Sequence, residues 1–228
     1  MNQQPQFGVI FDMDGVLVDS YESHFITWRD SCRRHGRDCT EAEFLIGFGR
    51  TSREFIRETW ENPPDDQWIA AFDAEKEQRY RDHIALSFPA MPGARELIHA
   101  LHSAGIPMAI GSSGPPENVH EIVRQLQVDE QIRVRISGAD VVRGKPHPDV
   151  FLKAAAGIGI PPAHCVVLED APVGVEAALA AGMKCLGVIS AGRTAAQLEH
   201  AHQQVQDNLL TVTVDLLRTL AAGDHSKR

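Results

Sequence analysis

Several features are scarce in this sequence, and each scarcity argues against a class of protein. Basic residues number 22 against 31 acidic ones, which gives a net charge of -9 at pH 7 and argues against a nucleic acid or an anionic membrane as partner. No apolar run approaches the roughly 20 residues that span a bilayer, and no N-terminal stretch resembles a signal peptide. We therefore expect a cytoplasmic protein that binds neither nucleic acid nor membrane.

Cysteine is also scarce, and its spacing excludes the usual zinc sites. The four cysteines are Cys32, Cys39, Cys165 and Cys185, with no CxxC pair among them. Cys165 and Cys185 lie in apolar runs, so we expect them to be small core residues in a reducing compartment.

The sequence does contain short β-rich runs that alternate with segments of helical period. The predicted strands are residues 7–12, 106–113, 132–138, 164–170 and 183–190. Most of them are almost continuously apolar, as strands covered on both faces are. This alternation predicts an α/β fold: a doubly wound, Rossmann-like parallel sheet with helices on both faces.

One long segment carries helical patterning without a convincing strand. It follows the first strand, covers residues 21–87, and ends near two prolines and a glycine in residues 88–93, which suit a stiff connection. We interpret it as a small α-helical cap domain inserted into a core made of residues 1–20 and 88–228.

Polar residues collect where four of the predicted strands end. In a doubly wound sheet, ligands bind outside the carboxyl ends of the strands. Each residue has an ordinary alternative role, such as a turn residue, a helix cap or a solvated lysine. The presence of polar residues at four successive strand ends nevertheless favours a ligand-binding site. The residues are Asp12 and Asp14, Ser112 and Ser113, Lys145, and Glu169 and Asp170.

Electrostatics indicates what such a site would hold. Two carboxylates 4 Å apart repel by about 4 kcal/mol at an effective dielectric constant of 20. One lysine cannot neutralise four acids, whereas Mg²⁺ suits a few carboxylates completed by water and phosphate. A metal, a lysine, a hydroxyl and a carboxylate around one volume fit a phosphoryl group, which a carboxylate can attack directly.

Four motifs carry a family resemblance along essentially the whole chain. "DMDGVLVDS", "GSS", "GKPHPDVF" and "LEDAPVGVEAA", in this order and spacing, resemble the motifs of the haloacid dehalogenase (HAD) superfamily. The sequence is most similar to its phosphatases and β-phosphoglucomutase-like members, which carry a helical cap after the first strand.

The resemblance implies roles for the acidic residues. Asp12 would be the nucleophile and one Mg²⁺ ligand. Asp14 would be the general acid/base and would bind the metal through its backbone carbonyl. Asp170 would complete the metal ligands, with Glu169 binding directly or through water. Dehalogenases of the superfamily lack an acid at the position of Asp14, so its presence favours phosphoryl chemistry.

Other residues would bind the phosphoryl group or the rest of the substrate. Ser112, with Ser113 beside it, would hydrogen-bond the transferring phosphoryl group, and Lys145 would hold it near Asp12. In the cap, "ESHFITW" places His24 and Trp28 where the mutase has His and Trp.

The resemblance also suggests a phosphate contact from the cap. The "SRE" of residues 52–54 suggests Arg53, although Arg50 competes with it because the alignment slips by one residue. Two further histidines, His99 and His102, are expected on the surface. Lys76 could reach the site from the cap, but we expect it on a solvated helix face.

These observations predict a Mg²⁺-dependent phosphatase for a small sugar or metabolite phosphate, acting as a monomer or a homodimer. The alternative is a hexose phosphate mutase, in which the phosphoryl group on Asp12 passes to a sugar hydroxyl. A phospho-acceptor signalling domain is a third hypothesis, but the inserted helical segment and the Asp-x-Asp spacing argue against it.

Overall fold

The computed structural model describes residues 7–48 and 51–223, which contain one six-stranded sheet. All strands are parallel and follow the order β3-β2-β1-β4-β5-β6. This is the doubly wound α/β sheet that the sequence predicts. The strands are β1 (Gly8–Phe11), β2 (Met108–Gly111), β3 (Val134–Ile136), β4 (Cys165–Glu169), β5 (Lys184–Ile189) and β6 (Gln203–Gln206).

Helices fill most of the connections between the strands. Within the described residues, none of them is both long and apolar enough to cross a membrane. The α-helices are α1 (Tyr21–Arg34), α2 (Glu41–Gly47), α3 (Ser52–Thr59), α4 (Asp66–Leu86), α5 (Ala94–Ser103), α6 (Pro116–Leu126), α7 (Asp149–Ile158), α8 (Pro172–Ala180) and α9 (Val214–Ala222).

The sheet is covered on both faces, which explains why its strands are so apolar. Along β1, Val9 and Phe11 pack into one hydrophobic cluster with residues of α5 and α6. Ile10 points the other way and packs with Phe151 of α7 and Val175 of α8. Alternate side chains of a strand point to opposite faces, so a strand covered twice has no position left for a polar residue.

The four helices between residues 21 and 86 form a cluster of their own. Its buried members are largely aromatic and include Trp28, Phe44, Phe55 and Phe72. The helical insert predicted after the first strand is therefore present, and the division into two domains at residues 21–87 stays a prediction.

Three described elements are absent from the prediction. The edge strand β6 reads Gln-Gln-Val-Gln, and only its valine is buried, so it carries no apolar run. Helix α2 begins at a capping box formed by Thr40 and Glu43, which is a sequence signal for a helix start. Helix α9 follows the last predicted strand and completes one face of the sheet.

Two predictions are confirmed, namely that Cys165 and Cys185 are core residues and that His99 and His102 lie on the surface. All four cysteines are free and buried, and Cys165 and Cys185 belong to the hydrophobic cluster under α7 and α8. His99 and His102 lie on exposed positions of α5.

Candidate active site

The predicted acidic residues meet at one edge of the sheet, at the carboxyl ends of its two central strands. Asp12 follows β1, Glu169 ends β4, and the two strands pair with Phe11 beside Leu168. Strand β2, on the other side of β1, ends directly before Ser112. The strand order therefore gathers residues that are far apart in the chain.

Lys145 is buried between two of these acids. It lies in the loop between β3 and α7, and its Nζ donates to Asp12 Oδ1 at 2.6 Å and to Glu169 Oε1 at 2.5 Å. Its ammonium also lies 4.8 Å from the ring centroid of Phe151. Burial alone would lower the pKa of Lys145, but Asp12 and Glu169 outweigh it and raise the pKa. Lys145 is therefore a fixed positive charge at the sheet edge.

Three buried carboxylates surround a space that could hold a metal ion. One oxygen from each of Asp12, Glu169 and Asp170 lies within 4.8 Å of the others. The pKa of Asp170 is raised to about 7. Burial is the main cause and Glu169 adds to it, whereas the Arg193 guanidinium acts to lower the pKa. Burial likewise raises the pKa of Asp12 well above its usual range. The protein's own cations thus leave negative charge uncompensated, and a divalent ion with oxygen ligands fits this group.

Two glycines allow the carboxylates to approach the backbone this closely. Gly15 has a φ of +73°, and a Cβ there would lie 2.1 Å from Asp170 Oδ2. Gly174 in α8 would bring a Cβ within 1.6 Å of Glu169 Oε1. Real Cβ atoms do not approach so closely, so neither position accommodates a side chain without moving a carboxylate.

Asp14 belongs to a different environment from Asp12. Its Oδ1 lies 3.0 Å from Nε2 of His24 and accepts a long hydrogen bond of 3.4 Å from the Tyr80 hydroxyl. Burial acts to raise the pKa of Asp14, but the neighbouring His24 outweighs it and the pKa is lowered. The Asp14 side chain is outside the three-carboxylate group, and the predicted metal contact through its carbonyl stays a prediction.

A cavity of about 280 Å³ connects the sheet edge to the cap. Asp12, Asp14, Ser112, Ser113 and Lys145 line it on the core side, so it gathers most of the predicted residues. The cap contributes His24 and a group of aromatic and polar side chains. These are Trp28, Phe44, Phe48, Phe55, Ser52, Asp73, Lys76 and Glu77.

The ordinary alternatives for two strand ends are wrong. Helix α6 begins after Pro115 and helix α8 after Ala171, and neither start has a side-chain cap. Ser112 instead accepts a hydrogen bond of 3.0 Å from the Gly114 amide, and Asp170 accepts one of 2.8 Å from Ser190. These side chains therefore do not serve as helix caps.

The cap arginine suggested by the sequence lies beside the main cavity. Arg53 is exposed and lines a neighbouring cavity that also includes Ser112, Ser113 and Lys145. Its contact with a phosphate stays a prediction. The competing Arg50 lies outside the described residues.

Comparison with known proteins identifies the family. A model of haloacid dehalogenase-like hydrolases matches residues 8–182. The chain belongs to this family. The matched segment contains all four motifs and ends beyond α8, so it includes every residue of the three-carboxylate group.

Relatives of this HAD-like hydrolase include named phosphatases and a mutase. It is 34% identical over 183 residues to hexitol phosphatase A of Escherichia coli K12, covering 79% of this chain and 82% of the relative. It is 32% identical over 192 residues to β-phosphoglucomutase of Bacillus subtilis 168, with the same coverage of 79% and 82%. Validoxylamine A 7'-phosphate phosphatase of Streptomyces hygroscopicus is 29% identical over 187 residues, covering 78% of this chain and 84% of the relative.

Solved structures resemble this HAD-like hydrolase over nearly its whole length. A HAD hydrolase of Entamoeba histolytica superposes with a TM-score of 0.84 at 26% identity, covering 95% of this chain and 99% of the other. A β-phosphoglucomutase of Clostridium difficile also gives a TM-score of 0.84, with coverage of 94% and 96%, but at 23% identity it supports the fold alone.

The predicted solvent exposure of Lys76 in this HAD-like hydrolase is wrong. Lys76 is 3% exposed and forms an ion pair with the buried Glu77, whereas a solvated helix face is predicted from the sequence. The sequence does contain a signal for this burial, because Phe72, Lys76 and Tyr80 are spaced four residues apart and so lie on one face of α4. Glu77 in turn accepts a hydrogen bond of 2.6 Å from Asn118 of α6.

Arg193 was also missed, and it joins the site to the cap. Its Nη2 donates to the Phe48 carbonyl oxygen at 2.8 Å, and its Nε lies 3.7 Å from Asp170 Oδ2. The guanidinium also lies 5.0 Å from the Phe48 ring centroid. Arg193 follows a strand in an otherwise unremarkable "SAGRT" loop, which has no local pattern that indicates these contacts.

Proposed function

We propose that this protein is a Mg²⁺-dependent phosphatase that hydrolyses a small sugar or metabolite phosphate through an aspartyl-phosphate on Asp12. The observation that carries the proposal is the separation of two acids at the same cavity. Asp12 is buried against Lys145 beside two more carboxylates, and Asp14 is held apart by His24. Two carboxylates in different environments suit two different chemical roles.

In the first half-reaction, a carboxylate oxygen of Asp12 attacks the phosphorus atom. The bond from phosphorus to the ester oxygen breaks, and Asp14 gives its proton to the departing alkoxide, which leaves as an alcohol. Lys145 neutralises charge beside the attacked phosphorus, and Ser112 hydrogen-bonds a phosphoryl oxygen. The lowered pKa of Asp14 opposes its protonation, but an incoming phosphate anion would raise that pKa.

In the second half-reaction, Asp14 accepts a proton from water as the water oxygen attacks the phosphorus of phospho-Asp12. The bond from phosphorus to Asp12 breaks and releases inorganic phosphate and a free carboxylate. The lowered pKa of Asp14, which His24 produces, favours this general-base role. Asp12, Glu169 and Asp170 would hold Mg²⁺, which supplies positive charge to the phosphoryl oxygens when bound.

Substrate size and setting follow from the cavity and the relatives. A cavity of about 280 Å³ suits a small molecule, and two relatives are named as phosphatases of a hexitol and of validoxylamine A 7'-phosphate. The four buried free thiols fit the reducing cytoplasm that we propose as the location.

The substitution Asp12→Asn tests whether Asp12 is the nucleophile. We expect Asp12→Asn to lower phosphate release by at least about 1,000-fold while the far-UV circular dichroism spectrum stays unchanged. Asp19→Asn, at a nearby exposed carboxylate, is the matched control and should retain activity. Phosphate release at the wild-type rate by Asp12→Asn would refute the proposal, and a long-lived phosphoprotein without turnover would favour the signalling hypothesis.

A hexose phosphate mutase is the second candidate, because the Bacillus subtilis mutase is 32% identical. The two activities share the attack by Asp12 and differ in the acceptor of the phosphoryl group. Incubation with β-glucose 1-phosphate and a bisphosphate activator separates them. Glucose 6-phosphate without a matching amount of free phosphate indicates a mutase, and free phosphate indicates the phosphatase.

A further inference from the structure

The end of the cavity that faces the cap is polar and acidic. Helix α4 contributes Asp73, Lys76 and Glu77 to its lining, and α3 contributes Ser52. If phosphate chemistry takes place at Asp12, as proposed above, this end faces the part of the substrate that does not react. Its chemistry therefore indicates which class of phosphate ester the protein selects.

Asp73 has an unpaired oxygen at this end. Its Oδ1 is buried without a hydrogen-bond partner among the described residues. Burial raises the pKa of Asp73, Glu77 reinforces the shift, and the nearby Lys76 and Ser52 offset it only in part. A buried polar atom without a partner costs free energy, so the arrangement is explained if a bound ligand donates a hydrogen bond to Oδ1.

The charges argue against a second phosphoryl group at this end. Lys76 is paired with Glu77, and its ammonium lies 5.2 Å from the Trp28 ring centroid. Asp73 and Glu77 thus contribute two negative charges against one positive charge from Lys76. Among the described residues, this lining repels a second anion and accepts hydrogen bonds from hydroxyl groups.

Some of the remaining lining residues offer few hydrogen-bond donors. On the core side, Pro115 and Pro116 line the cavity and have no backbone N–H. On the cap side, Phe48 and Phe55 contribute aromatic rings without a polar atom. Such side chains suit the C–H surface of a carbon chain or ring.

From these observations we propose that Asp73 is a specificity-determining residue that accepts a hydrogen bond from a hydroxyl group of the substrate. The substrate class is then the monophosphate of a polyol or sugar. A plain alkyl phosphate of equal length would leave Oδ1 of Asp73 unpaired and would be the poorer substrate.

A pair of probes and a pair of variants test this assignment. The probes are sorbitol 6-phosphate and hexyl phosphate, which have the same carbon count with and without hydroxyl groups. We expect the wild-type protein to favour sorbitol 6-phosphate in kcat/KM, and Asp73→Ala to reduce that preference by about 10- to 100-fold, the range for a hydrogen bond to a charged group. Asp82→Ala removes an exposed carboxylate of the same helix and should keep the wild-type preference.

Thermal melting distinguishes a binding role from a structural one. If Asp73 serves the substrate, the free Asp73→Ala protein should melt no lower than the wild type, because it loses an unpaired buried group. An unchanged preference, or a lowered melting temperature with both probes equally impaired, would overturn the assignment. If Asp73→Ala does not fold, Asp73→Leu gives the same comparison of preferences.

Two more outcomes complete the test. Tighter competitive binding by glucose 1,6-bisphosphate than by sorbitol 6-phosphate would contradict the charge argument. Absence of phosphate release from both probes by the wild-type protein, or wild-type release by Asp12→Asn, would instead refute the proposed function, and so the two failures are distinguishable.

Discussion

His24 and Tyr80 stack face to face, with ring centroids 3.8 Å apart and ring planes 5° from parallel. His24 lies on α1 and Tyr80 on α4, so the stack joins the first and last helices of the cap. Both side chains also reach Oδ1 of Asp14 in the core, at 3.0 Å and 3.4 Å. The position of the proposed acid/base therefore depends on the packing of the cap as well as on the core.

Loss of the Tyr80 ring should disturb catalysis through Asp14. We expect Tyr80→Leu to lower kcat/KM by about 10- to 100-fold, as small misplacements of catalytic groups do. His24 lowers the pKa of Asp14, so displacing it should move the acidic limb of the pH–rate profile to higher pH. Tyr80→Phe keeps the ring stack and should behave almost like the wild type. An equal loss at every pH would mean that Tyr80 has only a structural role.

A methyl group at Gly174 should disrupt the buried ion pair of Glu169 and Lys145. The added Cβ would lie 1.6 Å from Glu169 Oε1, so either the carboxylate or helix α8 must move. We expect Gly174→Ala to lower the free energy of unfolding by about 1–3 kcal/mol and to weaken Mg²⁺ binding, as measured by urea denaturation and calorimetry.

The matched control for that substitution is Gly182→Ala. Gly182 has a φ of +71° but no atom within 4 Å of an added Cβ, so this variant measures backbone strain alone. Its Mg²⁺ affinity should equal that of the wild type. Equal Mg²⁺ affinities in both variants would show that Glu169 tolerates the methyl group at position 174.

The sequence could predict the parts of the site that depend on strand topology. Parallel strands with alternating helices place their carboxyl ends at one edge, so Asp12, Lys145 and Asp170 could be grouped from their positions after apolar runs. The edge strand β6 could not be predicted, because an exposed edge does not require the apolar pattern of the central strands.

The contacts between core and cap could not be predicted in the same way. Arg193 carries a charge that a local pattern assigns to solvent, and it is buried beside the distant Phe48 carbonyl. Lys76 pairs with its neighbour Glu77, and that glutamate is held in turn by the distant Asn118. Burial of a charge depends on its partner, and the partner of Arg193 lies on another part of the chain. Neither sequence period nor propensity contains that information.

Arg193 should hold the cap against the core. Its guanidinium donates a hydrogen bond to the Phe48 carbonyl, and methionine has no N–H group that could replace it. We expect Arg193→Met to raise KM by about 10-fold, the loss of one hydrogen bond from a charged group, with a smaller change in kcat. Steady-state kinetics with a polyol phosphate measures both. A loss confined to kcat would place the role of Arg193 at Asp170 and not at the cap.

The three-carboxylate group should make Mg²⁺ binding depend on pH. The pKa of Asp170 in the folded protein is about 7, above its ordinary value near 4. Between about pH 4 and pH 7 the metal-free folded state thus binds more protons than the unfolded state, and Asp170 makes it less stable as pH rises through this window. Asp12, whose pKa is also raised, acts in the same direction.

Mg²⁺ should remove this loss of stability, because it binds the ionised carboxylates. One proton competing with a pKa of 7 should raise the Kd for Mg²⁺ about 30-fold between pH 8 and pH 5.5. At pH 8, Mg²⁺ at 100 times its Kd should stabilise the fold by about 2.7 kcal/mol, measured as a rise in Tm that EDTA reverses together with activity. Asp170→Asn should lose both the rise and its pH dependence. A Tm at pH 8 that does not respond to Mg²⁺ would mean that the buried acids are neutralised by protons, and the metal-dependent mechanism would have to be abandoned.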